Sequence, residues 1–197
     1  MTCSLDELVA DFAFALKAID ASRPIGSSKT RQYRPGVGPL TEAETVSKAL
    51  EYLASVRSDV YSGAAPCKYP NSRQSCDCRM PGYWVIEFKL LRPFGDNAKE
   101  AEHWSENLLH PYPGNVSAIG DCLKLRESAF EEQKAVIVFG YEHTPPVIDL
   151  DVAVCSFEAI ARNVVGLKIG NRASAMVCGL VHPCHQQAKV FGWEIVG

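Results

Sequence analysis

Residues 83–91 read YWVIEFKLL. Near-continuous apolar character is what a strand covered on both faces of a sheet requires. Two charges interrupt the run, Glu87 and Lys89. Their i, i+2 spacing puts both on one face of the strand. Charge in a central strand is costly unless it is paired or bound to a metal. The stretch therefore predicts the middle of a sheet and, on the same nine residues, a candidate site. The competing reading is an edge-strand ion pair facing water, which is energetically minor; Ile86, Phe88 and Leu90 would then bury one face only.

The flanking sequence predicts an α/β fold. Residues 4–20 carry Leu5, Leu8, Phe12, Leu16 and Ile19 at helical spacing behind a Ser4/Glu7 capping box. Residues 21–40 read as a Gly-, Pro- and Arg-rich loop. Thr41 and Glu44 form a second capping box ahead of a helix over 42–56. A short strand is expected at 58–62 and a loop at 63–82. After the 83–91 strand come an irregular segment (92–114), a helix at 115–132, a strand at 134–141, a helix at 156–168, and two strands near 173–182 and 188–196. This order predicts a single domain, a central mixed β-sheet flanked by helices. Within it, 1–40 supply an N-terminal helix and basic loop, 41–141 the core, and 142–197 a helix and hairpin that complete the sheet.

Composition narrows the function classes. The net charge of −3 argues against coating nucleic acid by bulk charge, while leaving room for a local basic groove. No run of ~18 apolar residues offers a membrane span, and acidic Asp6, Glu7 and Asp11 at the start do not suit a secretory signal. Eight cysteines in 197 residues are too few for a disulfide scaffold. Cys122, Cys155 and Cys178, in apolar contexts, read as buried thiols and point to an intracellular setting.

Glu87 needs a partner carboxylate if it is to hold a cation. If 58–62 pairs antiparallel with the strand starting at Tyr83, Asp59 falls beside Glu87. Strands lie ~4.8 Å apart, so the two carboxylates repel unless a divalent cation sits between them. Asp77 is the rival. It lies in the expected loop, and reaches Glu87, ~13 Å along the strand from Tyr83, only by folding back. Hard cations such as Mg²⁺ take oxygen ligands and often use one or two carboxylates.

Asp59, Glu87 and Lys89, in the order helix, Asp-bearing strand, Glu-x-Lys strand, helix, strand, resemble the PD-(D/E)XK nuclease superfamily over roughly residues 41–141. The resemblance implies a restriction-endonuclease-like fold and Mg²⁺- or Mn²⁺-dependent hydrolysis of phosphodiesters, with DNA as the substrate. Asp59 and Glu87 would bind the metal and Lys89 would assist the attacking water. An acidic residue on the first core helix, Glu44 or else Glu51, with Glu44 preferred, would join the metal site. Lys124, on the helix that packs near the site in that family, would contact substrate. Cutting both strands would suit a homodimer. Ser58 stands where the motif has Pro, and the Asp59–Glu87 gap is long. The alternative is a non-catalytic nucleic-acid- or protein-binding module on the same sheet.

Other candidates are weaker. Arg31 and Arg34, with Arg23, Lys29 and Tyr33, could meet phosphates from the basic loop. Cys67, Cys76 and Cys78 could hold zinc with His182, Cys184 or His185, although paired Cys-x2–4-Cys knuckles are missing. His182-Pro183-Cys184-His185 reads as a turn rather than a thiol nucleophile and base. Arg126, Asp96, His103 and His110 are further polar groups near the expected cleft.

Overall fold

The structure, a computed structural model, describes residues 3–26, 35–70, 72–111 and 116–196. The two leading helices, α1 (Leu5–Ala21) and α2 (Glu42–Val56), begin at the predicted capping boxes: Ser4 and Thr41 accept the N–H groups of Glu7 and Glu44, whose carboxylates return the bond.

The segment expected as a strand at 58–62 is instead a helical turn, α3 (Ser58–Tyr61). The N–H groups of Val60 and Tyr61 both donate to the Arg57 carbonyl. Val60 and Tyr61 are consecutive buried residues while Ser58 and Asp59 are exposed, a pattern with no period of two. The expected loop at 63–82 is a hairpin, β1 (Ala65–Lys68) and β2 (Ser75–Met80), and β3 (Trp84–Leu91) follows. Pro81-Gly82 joins β2 to β3, with the Tyr83 N–H on the Met80 carbonyl and Gly82 at φ +78, as a type II turn requires.

The chain then runs through α4 (Glu106–Leu109), α5 (Ala118–Glu127) and β4 (Gln133–Glu142). Helix α6 spans Leu150–Asn163, not 156–168, because Asp149 caps it six residues earlier than expected. Strands β5 (Lys168–Ile169), β6 (Ala173–Cys178) and β7 (Gln187–Val196) complete the sheet. The seven-stranded sheet has the path β1-β2-β3-β4-β7-β5, with β6 also on β7. Only β3 and β4 run parallel, joined by the crossover through α4 and α5. The domain is α/β with an open mixed sheet, as the sequence predicts.

Helices cover both faces. Trp84, Ile86 and Phe88 of β3, with Ile137 and Phe139 of β4, pack against Leu8, Phe12 and Leu16 of α1 and Leu50 of α2. Val85 and Leu91, with Val136 and Val138, pack against Ile119, Cys122 and Leu125 of α5 and Phe157 of α6. Each such side chain contributes roughly 1.5–3 kcal/mol by burial. At Gly192 a Cβ would come within 2.7 Å of Val9 Cγ2, so glycine there lets α1 seat on β7. Cys122 is buried as expected, but Cys155 and Cys178 are exposed. Among the described residues no helix is long and apolar enough to cross a membrane.

Candidate functional site

β2 and β3 pair as Cys78 with Ile86, Arg79 with Val85 and Met80 with Trp84. One step further, the same register sets Asp77 opposite Glu87, and there the strands part. The Asp77 N–H donates to Glu87 Oε2 at 3.3 Å. The Phe88 N–H donates to Asp77 Oδ2 at 2.8 Å, and the Leu90 N–H to Glu42 Oε2 at 2.5 Å. Two carboxylates thus take the places along β3 where a neighbouring strand would supply carbonyls.

Glu87 and Lys89 point together into the layer of α5, as their spacing predicts. Glu87 is 3% exposed and Lys89 6%. Tyr69 O–H and Lys124 Nζ, the latter at 3.5 Å, both meet Glu87 Oε1. Lys89 Nζ lies 3.2 Å from Asp121 Oδ2 and 3.6 Å from Glu42 Oε1. Lys124 Nζ lies 2.5 Å from Asp121 Oδ1. Asp121 and Lys124 share the inner face of α5, three residues apart.

The cluster holds four carboxylates (Glu42, Asp77, Glu87, Asp121) and two ammonium groups (Lys89, Lys124). If all are ionised, two negative charges are in excess. Burial, then repulsion from Asp77, pushes the Glu87 carboxyl up to about 8, against the pull of Tyr69 and Lys124. Burial also raises Glu42, outweighing Lys89 and the Leu90 N–H. Burial pushes the Lys89 ammonium down, but Asp121 and Glu42 outweigh it, so Lys89 titrates above the ordinary lysine range. Lys89 is therefore a held cation and not a base at neutral pH.

Two clefts meet at Glu42. One, of about 410 Å³, runs between α2 and the β1–β2 hairpin and includes Val46, Leu50, Tyr61, Pro66 and Asp77. The other, of about 630 Å³, is lined by Lys89, Arg92, Trp104 and Asn107. Of the cluster, Glu42 and Asp77 line the first cleft, and Glu42 and Lys89 the second.

The structure brings together Glu87, Lys89 and Lys124 of the predicted residues. It does not bring Asp59 to them: with 58–62 helical, no strand pairing exists, and Asp59 is an exposed residue that acts on Cys3 and Arg57. Asp77 takes its place. Glu44 is held at the N-terminus of α2 by its bonds to Thr41, and Glu42, two residues earlier, is the helix carboxylate that reaches the cluster. Glu51, bonded to Ser47, lines the first cleft. Arg31 and Arg34, with Lys29 and Tyr33, lie outside the described residues.

Three groups escaped the sequence reading, Glu42, Asp121 and Tyr69, while Asp77 stood in it as the rival to Asp59. Asp77 was legible: Cys76, Cys78 and Met80 are buried and alternate with Ser75, Asp77 and Arg79, and Pro81-Gly82 is the fold-back signal. Asp121 carries no local mark beyond its three-residue spacing from Lys124. Tyr69 has none.

The remaining candidates sit elsewhere. Cys67, Cys76 and Cys78 lie on the β1–β2 hairpin, whereas His182, Cys184 and His185 form the β6–β7 turn. There the two imidazoles stack at 4.5 Å, and His185 Nε2 meets the Phe94 carbonyl. His103 is exposed and pairs with Glu106, and Arg126 pairs with Glu127. Among the described residues no three His, Cys, Asp or Glu side chains are placed to hold one metal ion. What the cluster offers a cation is the Asp77–Glu87 pair, flanked by Glu42. Hard carboxylate oxygens with excess negative charge suit Mg²⁺ or Mn²⁺, which take few protein ligands and complete their shell with water and phosphate.

Compared with models of protein families, with curated proteins and with solved structures, the chain matches none.

Proposed function

We propose that the chain is a metal-dependent nuclease that hydrolyses phosphodiester bonds, with DNA as the substrate, on a restriction-endonuclease-like core. The observation that carries this reading is the meeting of Asp77 and buried Glu87 across the parting strands, with Lys89 two residues on. The order α2, β1–β2–β3, α5, β4, with β4 parallel to β3, supports it. So does the excess negative charge, which a divalent cation would neutralise. Relative to the sequence reading, Asp77 replaces Asp59 and Glu42 replaces Glu44.

When bound, Mg²⁺ or Mn²⁺ supplies Lewis-acid polarisation of the phosphate and a lowered pKa for its water. Asp77 and Glu87 would hold it. Lys89, kept cationic, donates to a phosphate oxygen and stabilises charge as it develops. Lys124, beside Asp121 and Glu87, would contact the adjoining phosphate, and Arg92 and Asn107, which line the second cleft, would flank the path away.

The test is cleavage of plasmid, duplex and single-stranded DNA with Mg²⁺, Mn²⁺ or EDTA. Metal-dependent cleavage should disappear in Lys89→Ala and Asp77→Asn and persist in Asp59→Ala. A non-catalytic binding module is the second reading. It is favoured by the pairing of both lysines with carboxylates already in place. No cleavage of DNA or RNA, together with no Mn²⁺ uptake by calorimetry, would select it.

A further inference from the structure

We propose that Cys67 and Cys76 are a site of reversible oxidation, closing to a disulfide across the β1–β2 hairpin. The two are direct cross-strand partners. Such partners have Cα atoms ~4.5–5.5 Å apart, inside the span a disulfide accepts. Their Sγ atoms lie 3.3 Å apart, already in contact. The hairpin end is tied by the Tyr69 N–H on the Gln74 carbonyl, so the pair is held in register. Cys78 does not compete: it packs with Met80 and Ile86 in the α1–α2 layer, whereas Cys76 packs with Tyr69 and Val85 in the other.

The two thiols differ in access, which fixes the order of events. Cys67 is half-buried and Cys76 is 1% exposed. With oxidised glutathione as the oxidant, the Cys67 thiolate attacks one glutathione sulfur, and the other glutathione leaves as a thiolate. The Cys76 thiol then loses its proton and attacks Cys67 Sγ, expelling the second glutathione. Two protein thiols are oxidised and one glutathione disulfide is reduced to two thiols. Cys67, the more accessible sulfur, meets glutathione first, and buried Cys76, already 3.3 Å away, is the resolving group.

The pair adjoins the carboxylate cluster at both ends. Cys76 precedes Asp77, and Cys67 lies two residues before Tyr69, whose O–H holds Glu87. Closing the disulfide draws β1 and β2 together at this point and shifts Tyr69 and Asp77, two of the three partners of Glu87. This coupling rests on the proposed nuclease reading; the disulfide itself does not.

The experiment incubates the full chain in glutathione buffers of rising oxidised fraction, alkylates free thiols, and maps peptides by mass spectrometry. A Cys67–Cys76 linked peptide, lost in Cys67→Ala and in Cys76→Ala and reversed by dithiothreitol, is the expected result. Full alkylation of both residues in the most oxidising buffer, or a lasting glutathione adduct on Cys67, would overturn the proposal. In parallel, Mg²⁺-dependent cleavage should change severalfold on oxidation of the native chain and stay constant in Cys67→Ala. Disulfide formation with unchanged cleavage would overturn the coupling to the site. Disulfide formation in a chain whose reduced form neither cleaves nor takes up Mn²⁺ would leave the thiol site standing and remove the nuclease reading.

Discussion

Two buried glutamates lie on the two parallel strands of this sheet, and each has lysine and aspartate around it. Glu142, at the end of β4, accepts the Leu150 N–H at 2.7 Å and Gln187 Nε2 at 2.8 Å, with Lys189 Nζ at 3.4 Å. Glu87, inside β3, faces Asp77 across the splayed hairpin and is pushed up to about 8. Near Glu142 the acids are well served: Asp149 is held below the usual carboxylate range by the Asp151 N–H and by Lys189. Neither composition nor the number of donors distinguishes the two sites; the carboxylate of Asp77 facing buried Glu87 does. The carboxylates around Glu142 cap a helix and saturate one lysine. Those around Glu87 lie inside the sheet, where burial and repulsion from Asp77 push Glu87 up. Shifts of that kind cluster at functional sites.

The largest expected difference is in activity. Glu87→Ala and Lys89→Ala should each lower metal-dependent cleavage by about 10²-fold or more, while Lys189→Met leaves it within about twofold and instead lowers thermal stability. Equal losses of cleavage from both sites, measured under single-turnover conditions, would erase the contrast.

Metal binding should follow the proton on Glu87. Below about pH 8 a cation must displace that proton. Mn²⁺ affinity, measured by calorimetry, should therefore weaken by up to about tenfold per pH unit as pH falls from 8 toward 5. A flat profile would mean that Glu87 is not a ligand.

Stability should respond with opposite signs. Glu87 titrates near 4.5 when unfolded and about 8 when folded. Between those values the folded chain keeps a proton the unfolded chain has lost, so stability falls as pH rises through the window. Without metal, Glu87→Gln should gain about 1–2 kcal/mol at pH 8, roughly 3–6 °C in Tm, and much less at pH 5. Glu142→Gln should instead lose about 1–3 kcal/mol, because its charge-assisted bonds weaken. Thermal melts at the two pH values read both signs.

The smallest effect belongs to a cap. Asp149→Ala, at the N-terminus of α6, should cost about 1 kcal/mol and leave cleavage unchanged. A loss of cleavage there would tie the two clusters together.

Much of this was legible in the sequence where a single element carries the signal. The apolar run of β3, its two same-face charges, both capping boxes and the strand at β4 can each be read locally. Asp77 reads as second to Asp59, despite the alternation in β2 and the Pro81-Gly82 signal, because β1 and β2 lie toward the edge of the sheet, with most of β1 exposed, so Cys, Ser, Arg and Asp replace the β-branched residues that advertise a strand. The stretch at 58–62 misled for the opposite reason: Val60 and Tyr61 look strand-like, and only the Arg57 carbonyl, shared by two N–H groups, shows the helical turn. Asp121 and Glu42 join the cluster through tertiary packing, which no local pattern encodes.

The Pro81-Gly82 turn also orders events in time. It brings Asp77 to Glu87 across ten residues, whereas Asp121 and Lys124 arrive only when the crossover lays α5 over the sheet. Nearby contacts form before distant ones. On that basis a refolding chain would meet the acid pair first and its α5 lysine later, and the growing hairpin would carry an unrelieved repulsion. Stopped-flow refolding should accelerate with added Mn²⁺, and this acceleration should vanish in Asp77→Asn.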